Sequence, residues 1–446
     1  MTRSHKATRT DRPLPSKAGN GHAYIVALLI LTVLTIYGRI TAHDFSWWDD
    51  NTTLHQNPHF NPPTVRSILY YWQHPHMDLY IPVTYTVWGG LAMLSYSETP
   101  RVMGIHLNPA VFHAASVALH IMSVVLVFWI LRLIIPTAWA ACAGALLFGL
   151  RPVQVEPIGW TSGMKDLLAG FFSLLAIWQY VVVAQDRARV AAGSEAHHQS
   201  KVVQGSHWQW HYAIATLAYL LALLSKPSAV VVPVMVTILD YIIIGRRLGL
   251  FYRFVLPWVA MAAGCAVVAM IVQPGTPAAV TPIWGRPIVA LDAIAFYLYK
   301  LAVPLSLGVN YGRTPEVVLA SGWTYLSGAA TVIVAGLLWH MRREARYIVG
   351  AALLLLASVL PVVGFVRFDF QWLSTVADQY LYLGMIGPAL ALGWLVSQMQ
   401  GKARVGVSAY RACCATGRRT SGSADPAPRI AAAADPAGSR PRACAR

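Results

Sequence analysis

Ten apolar stretches, separated by polar gaps in which arginine and lysine gather on every second gap, constrain this chain more than any other feature. They lie at about 23–41, 107–133, 137–150, 166–184, 211–224, 228–244, 254–272, 322–340, 347–363 and 382–398. A helix needs roughly 20 apolar residues to cross a bilayer, so the shorter stretches must extend into their flanks. Composition agrees: 56% of residues are hydrophobic and 12% charged, whereas a soluble domain carries about 25% charged residues. The expected fold is an all-α polytopic membrane protein.

Basic residues mark the cytoplasmic side. The arm before the first stretch holds Arg3, Lys6, Arg9, Arg12 and Lys17. With that arm inside, Asp186–Lys201, Gly245–Arg253, Met341–Arg346 and the tail after Gly401 also fall inside, and all are rich in Arg or Lys. The stretch Ile288–Val303 would be an eleventh span, but counting it would move Arg342, Arg343 and Arg346 outside. It is therefore read as an interfacial or re-entrant helix in an external loop, about 273–321. An even number of spans with both termini cytoplasmic fits best. The formal charge of +16 is dispersed among these clusters, which argues against nucleic acid as a partner.

Three segments follow: a basic cytoplasmic arm, 1–22; a transmembrane domain, 23–400; and a tail, 401–446. The first apolar stretch has no small-residue cleavage site after it and reads as a retained span rather than a signal peptide. The first external loop, about 42–105, is rich in aromatics, His and Pro, and Tyr80–Tyr96 within it has the character of a helix lying along the interface. The tail is built from Ala, Arg, Pro, Gly and Ser without periodicity and reads as a disordered cytoplasmic segment, with a composition that fits a frameshift or truncation. Cys142 and Cys265 lie in apolar stretches; Cys413, Cys414 and Cys444 lie in the tail, and no pair has metal-ligand spacing. His106, His113 and His120 recur every seven residues, too far apart for chelation by neighbours on one helix, and read as bundle-facing.

Chemistry-bearing residues collect in the external segments. Ser46-Trp47-Trp48-Asp49-Asp50-Asn51 places two carboxylates beside two tryptophans just past the first span. A carboxylate there can take a proton from a hydroxyl nucleophile; taken alone, the pair reads rather as solvated acids beside an aromatic belt. Glu156 falls on the same face, in the turn between the third and fourth spans. Lys165 and Asp166 open the fourth span, where an ionisable pair needs a partner or a purpose, although a helix N-terminus also favours Asp166. Lys226 lies between spans five and six. Arg367 and the run Ala377-Asp378-Gln379-Tyr380-Leu381-Tyr382-Leu383 form the last external end. Arg286, Lys300 and Arg313 are further candidates to grip a phosphate.

As an ordered set these pieces resemble a known family: Asp49-Asp50, Tyr80-Ile81-Pro82, His106-Leu107-Asn108, Leu147–Pro157, Lys165–Phe172, Ser225-Lys226-Pro227 and Ala377–Leu383. The set is similar to the membrane half of the transmembrane and tetratricopeptide-repeat O-mannosyltransferases and their bacterial relatives, which are GT-C glycosyltransferases, over about residues 24–400. The resemblance implies a GT-C-like bundle of about 10–11 transmembrane helices in a bacterial inner (plasma) membrane. It further implies an inverting transfer of sugar from a polyprenyl-phosphate carrier to a hydroxyl of a protein or glycan acceptor, on the non-cytoplasmic face. The family's catalytic acid maps onto Asp49 or Asp50, with Asp49 the preferred base, and its second acidic position maps onto Glu156. Lys165, Asp166, Lys226, Arg367, Asp378, Tyr380 and Tyr382 are the expected carrier-binding residues. A divalent metal is the one cofactor this reading leaves open, since Asp49 and Glu156 are ligand types that it accepts. Family members usually carry His at the position of Arg151, and Arg at those of Met164 and Gln379. The repeat domain that often follows the membrane part is replaced by the tail.

Two other functions fit the composition. A secondary transporter would place ionisable groups near the middle of its helices and often shows inverted repeats; the central stretches here are almost free of charge and show no internal symmetry. A catalytically impaired homologue or assembly subunit is the nearer alternative, favoured by the departures at positions 151, 164 and 379.

Overall fold

The computed structural model describes residues 19–196, 208–245, 252–273, 281–366 and 368–400. The arm before residue 19, Lys201, Arg246, Arg247, Arg367 and the tail after residue 400 lie outside the described residues, as do the expectations placed on them. The described residues up to Ser397 form one compact unit. Among the described residues no strand is present, and the only bridges are the isolated pairs Phe60–Pro63 and His76–Leu79.

The helices are α1 (Gly19–Tyr37), α2 (Val65–Tyr70), α3 (Pro82–Ser95), α4 (Pro109–Ile134), α5 (Ala138–Leu150), α6 (Val155–Gly159), α7 (Met164–Ala196) and α8 (Trp208–Ser225). They continue as α9 (Val232–Ile238), α10 (Tyr252–Val272), α11 (Gly285–Ala302), α12 (Pro315–Ala320), α13 (Trp323–Met341), α14 (Arg346–Val359) and α15 (386–400). Five helical segments are long and apolar enough to cross a membrane: Gly21–Ala42, Pro109–Ile134, Thr161–Arg187, Tyr252–Val272 and Trp323–Met341. Of the ten expected spans, these five therefore have the length and apolar character among the described residues. Several other stretches form shorter or broken helices, and proline is the recurrent reason. Pro152 follows α5 at a bend of 53°, and Pro227 and Pro361 each open a 3₁₀ turn next to an apolar helix; the ring removes a donor and clashes with the preceding turn. Counting α5 with the segment after its bend would make six. We read residues 151–160 instead as a turn, because the segment is built of a 3-residue 3₁₀ piece and a 5-residue α piece.

Burial separates centre from rim. In α7 72% of the apolar window is inside the protein, against 11% in both α10 and α13. α7 therefore forms the axis, packed along α4 and α8. α10 and α13 present Leu256, Ile271, Leu326, Ile333 and other apolar side chains outward, as a lipid-facing helix does. The core runs through Leu29 and Val33 of α1, Phe112 and Phe128 of α4, Phe148 of α5 and Leu174 and Ile177 of α7. α3 forms where an interfacial helix is expected, but it is packed on α8, its Thr84 hydroxyl donating to the Ser225 carbonyl at 2.9 Å, and its Tyr85, Trp88 and Ala92 are buried. α11 buries Asp292 and Lys300 and packs against α13.

Two glycines set close approaches. At Gly144 of α5 an added Cβ would collide with the backbone carbonyl of Ala389 on α15. At Gly170 of α7 it would lie 2.5 Å from the ring carbons of Tyr382. That ring cannot move aside, because its hydroxyl meets His120 Nδ1 at 3.1 Å and it is packed against Phe148. Gly170→Ala is thus expected to lower the thermal unfolding midpoint, at a cost of about 1–3 kcal/mol for overpacking. An unchanged midpoint in detergent-purified protein would refute the contact.

Candidate functional site

After α1 and a short 3₁₀ turn the chain reaches Asp49 and Asp50, and the two carboxylates part company. Asp50 is fully buried. Its Oδ1 accepts from the backbone N–H of Ser162 at 2.8 Å and from the Ser162 hydroxyl at 2.7 Å, and its Oδ2 accepts from Ser46 N–H at 2.9 Å. Three donors aimed at one carboxylate make a clamp between the first loop and the turn before α7. Thr53 adds a fourth link, with its hydroxyl 2.8 Å from that of Ser162. The residues after Asp50, Asn51–His55, wind as a single π turn, a geometry common beside functional sites.

Asp49 is half-buried, and among the described residues its carboxylate accepts no hydrogen bond. Burial raises its pKa, the Lys165 charge opposes the rise and Asp50 adds to it. A raised carboxylate with free lone pairs is a better base than a clamped one. Trp47 and Trp48 beside it are both exposed.

α7 begins with the site's two central charges. Lys165 lies over the Trp160 ring at 5.1 Å and within electrostatic reach of Asp49, Asp50, Asp166 and Lys226. Asp166 is buried and its Oδ1 is 2.5 Å from Lys226 Nζ. Lys226, in the turn after α8, also lies over the Tyr380 ring at 5.3 Å. Glu156, in α6, accepts the backbone N–H of Gln379 at its Oε2, at 3.0 Å. Asp378 is buried, and its Oδ2 accepts from the Tyr311 hydroxyl at 2.7 Å. Asp49, Lys165, Asp166, Lys226, Glu156 and Asp378 therefore form one chain of charges, although they come from four separate stretches of sequence.

Other expected residues have different places. Tyr382 is a core side chain held by His120 and Phe148, and only its edge reaches a small cavity of about 30 Å³ shared with Asp166, Ser173, Gln379 and Tyr380. Arg367 lies outside the described residues. Arg313 spends its guanidinium on Asp292, at 2.6, 2.8 and 3.1 Å, and stacks on Trp323. Lys300 donates to the carbonyls of Leu305 and Ser306, and Arg286 to that of Phe365 at 3.2 Å. All three cations thus serve the fold of the 285–366 region rather than an open phosphate site. His113 and His120 are buried inside the bundle. Among the described residues no group of three or more His, Cys, Asp or Glu side chains is arranged to hold a metal ion.

Sequence reading missed Ser162, Thr53 and Tyr311. Hydroxyls in turns are too common to stand out; Ser162 and Tyr311 each donate to a carboxylate remote in sequence, and Thr53 meets the Ser162 hydroxyl.

An apolar groove of about 230 Å³ runs between α8 and α10, lined by Leu220, Leu224, Met261 and Val268. It reaches Pro227, next to Lys226, with Asp78 and Tyr80 among its polar lining. No family model, curated protein or solved structure matches this chain.

Proposed function

We propose that this protein is a membrane glycosyltransferase that moves a sugar from a polyprenyl-phosphate carrier to an acceptor hydroxyl on the non-cytoplasmic face, with inversion. The observation that carries the reading is the unbonded Asp49 carboxylate within electrostatic reach of Lys165, which in turn lies within reach of Lys226. A base and an anion grip are the two things such a transfer requires.

In the reaction Asp49 takes the proton of the acceptor hydroxyl. The freed oxygen lone pair forms the new bond to the anomeric carbon from the side opposite the phosphate. The bond from that carbon to the phosphate oxygen breaks, and its electron pair stays on the phosphate. Lys165 and Lys226 stabilise the anion that leaves. The groove between α8 and α10 suits the isoprenoid chain, since it is apolar and ends at the residue after Lys226. Asp50 positions Asp49 through its clamp on Ser162.

A homologue without catalysis is the second reading, and the uncharged, buried Met164 and Gln379 favour it. Membranes containing the full chain, incubated with radiolabelled polyprenyl-phosphate sugar, separate the two. Label transfer to protein or glycan that requires Asp49 supports the enzyme. No transfer by the parent from either a mannose or a glucose carrier sinks it.

A further inference from the structure

α8 and α10 are tied together at one end and part at the other. Near the start of α10 the Tyr212 hydroxyl donates to the Phe254 carbonyl at 2.9 Å, and Trp258 Nε1–H donates to the Thr216 hydroxyl at 3.0 Å. Trp258 and Tyr219 are fully buried and stack on one another, with ring centroids 4.9 Å apart. These large rings fill the seam between the helices. From Met261 onward the same two helices become the walls of the groove of about 230 Å³. Side-chain size is the reason. At Gly264, which lines the groove, an added Cβ would meet no atom within 4 Å.

The groove therefore has a floor, and it also has a polar mouth. Its polar lining is Asp78, Tyr80 and Gln273. Gln273 follows the end of α10, and Asp78 and Tyr80 precede α3, whose Thr84 hydroxyl reaches the Ser225 carbonyl at 2.9 Å. The mouth is thus at Pro227, beside Lys226. An ammonium group has three N–H donors. Asp166 takes one of those of Lys226, at 2.5 Å, and an anionic head can meet the others with that contact intact.

We propose that this groove is a ruler for the carrier: one prenyl chain enters beside Lys226, runs along α10 and stops at the Trp258–Tyr219 floor, so that the protein holds only its first few isoprenyl units. The wall from Met261 to Val272 is about 17 Å long at about 1.5 Å per residue. An extended isoprenyl unit adds four carbon–carbon bonds, about 5 Å at ordinary bond lengths. The groove accordingly takes three to four units, on the order of the wall length divided by the unit length. Later units leave sideways into lipid, past Leu220 and Val268, which are exposed on the rim. The occupant is a single-chain anion, because the walls are two adjacent helices and the mouth carries an ammonium group. That the chain is an isoprenoid rests on the transferase reading; the length limit rests on the floor.

Photo-crosslinking of the full chain in phosphatidylethanolamine vesicles tests the limit. The probes are nonaprenyl phosphates with a diazirine on the second, third or eighth unit from the phosphate, and labelled peptides are located by mass spectrometry. The second unit is expected near Leu224 and Val268, the third nearer Met261, and the eighth at background on both walls. Gly264→Leu fills the open part of the bore and substitutes a better helix former. Its unfolding midpoint is expected to hold, with third-unit label falling to background and second-unit label kept. Eighth-unit label equal to third-unit label, label at Trp258 or Tyr219, or third-unit label indifferent to Gly264→Leu overturns the ruler. So does a diazirine-bearing phosphatidylglycerol that labels the same walls and is not displaced by unlabelled nonaprenyl phosphate. Depth-ordered label in a protein that transfers no sugar keeps the ruler and rejects the transferase reading. Sugar transfer without label in the groove keeps that reading and rejects the ruler.

Discussion

Asp49→Asn is expected to lower sugar transfer by about 10²- to 10⁴-fold, the contribution of a positioned base, while leaving the thermal unfolding midpoint unchanged. Its neighbour behaves in the opposite way. Asp50→Asn keeps the shape but replaces one acceptor oxygen with a donor, so either Ser46 N–H or the Ser162 pair meets a donor. A buried unsatisfied donor costs about 1–3 kcal/mol, and the loss of charge adds to this. The midpoint should therefore fall in Asp50→Asn, with activity reduced in proportion to the folded fraction and to the drift of Asp49. Calorimetry and a label-transfer assay on the same preparations check both. If Asp50→Asn abolishes transfer with an intact midpoint and Asp49→Asn does not, the assignment of the base is reversed.

Lys226→Met is expected to be the most destabilising change at the site. It leaves Asp166 as a buried carboxylate with no hydrogen-bond donor, since Asp166 Oδ2 already lacks one. Removing one member of a buried pair costs about 3–5 kcal/mol, mostly the penalty of the charge left behind. Removing both should cost much less. Lys226→Met with Asp166→Leu is therefore expected to recover most of the lost stability and none of the carrier binding, because the ammonium group is still missing. A double-mutant cycle on unfolding midpoints, together with calorimetry on polyprenyl phosphate, measures the two parts separately. Additive losses would show that the 2.5 Å contact contributes nothing.

The two results would also separate the roles of the charges. Asp49 and Lys226 belong to different stretches and meet only through Lys165, so their effects on transfer need not track their effects on stability. Glu156 belongs with the second group. It takes its hydrogen bond from the backbone beside Asp378, and its charge state bears on Lys226 rather than on Asp49.

Membrane character and all-helical class were legible from residues alone. Some 56% hydrophobic content with 12% charge leaves few other solutions, because in lipid every backbone polar group must be satisfied within its own segment. The set of acids and lysines was legible too, since ionisable residues are conspicuous where apolar ones dominate. The number of full-length spans was not. Pro361 falls inside the 347–363 stretch, whose hydropathy alone reads as continuous, and a window average cannot register a bend. Nor was the division between Asp49 and Asp50 visible, because two adjacent identical residues carry the same local signal.

The sequence by itself determined the solvent this protein is built for and the inventory of charges it carries. Only the tertiary structure decided which charges are already committed. Ser162 claims Asp50, Asp292 claims Arg313, backbone carbonyls claim Lys300, and Asp49 is left with its lone pairs open. The reason is physical: hydrogen-bond satisfaction is a property of pairs brought together from distant positions, and no single stretch of chain contains both partners.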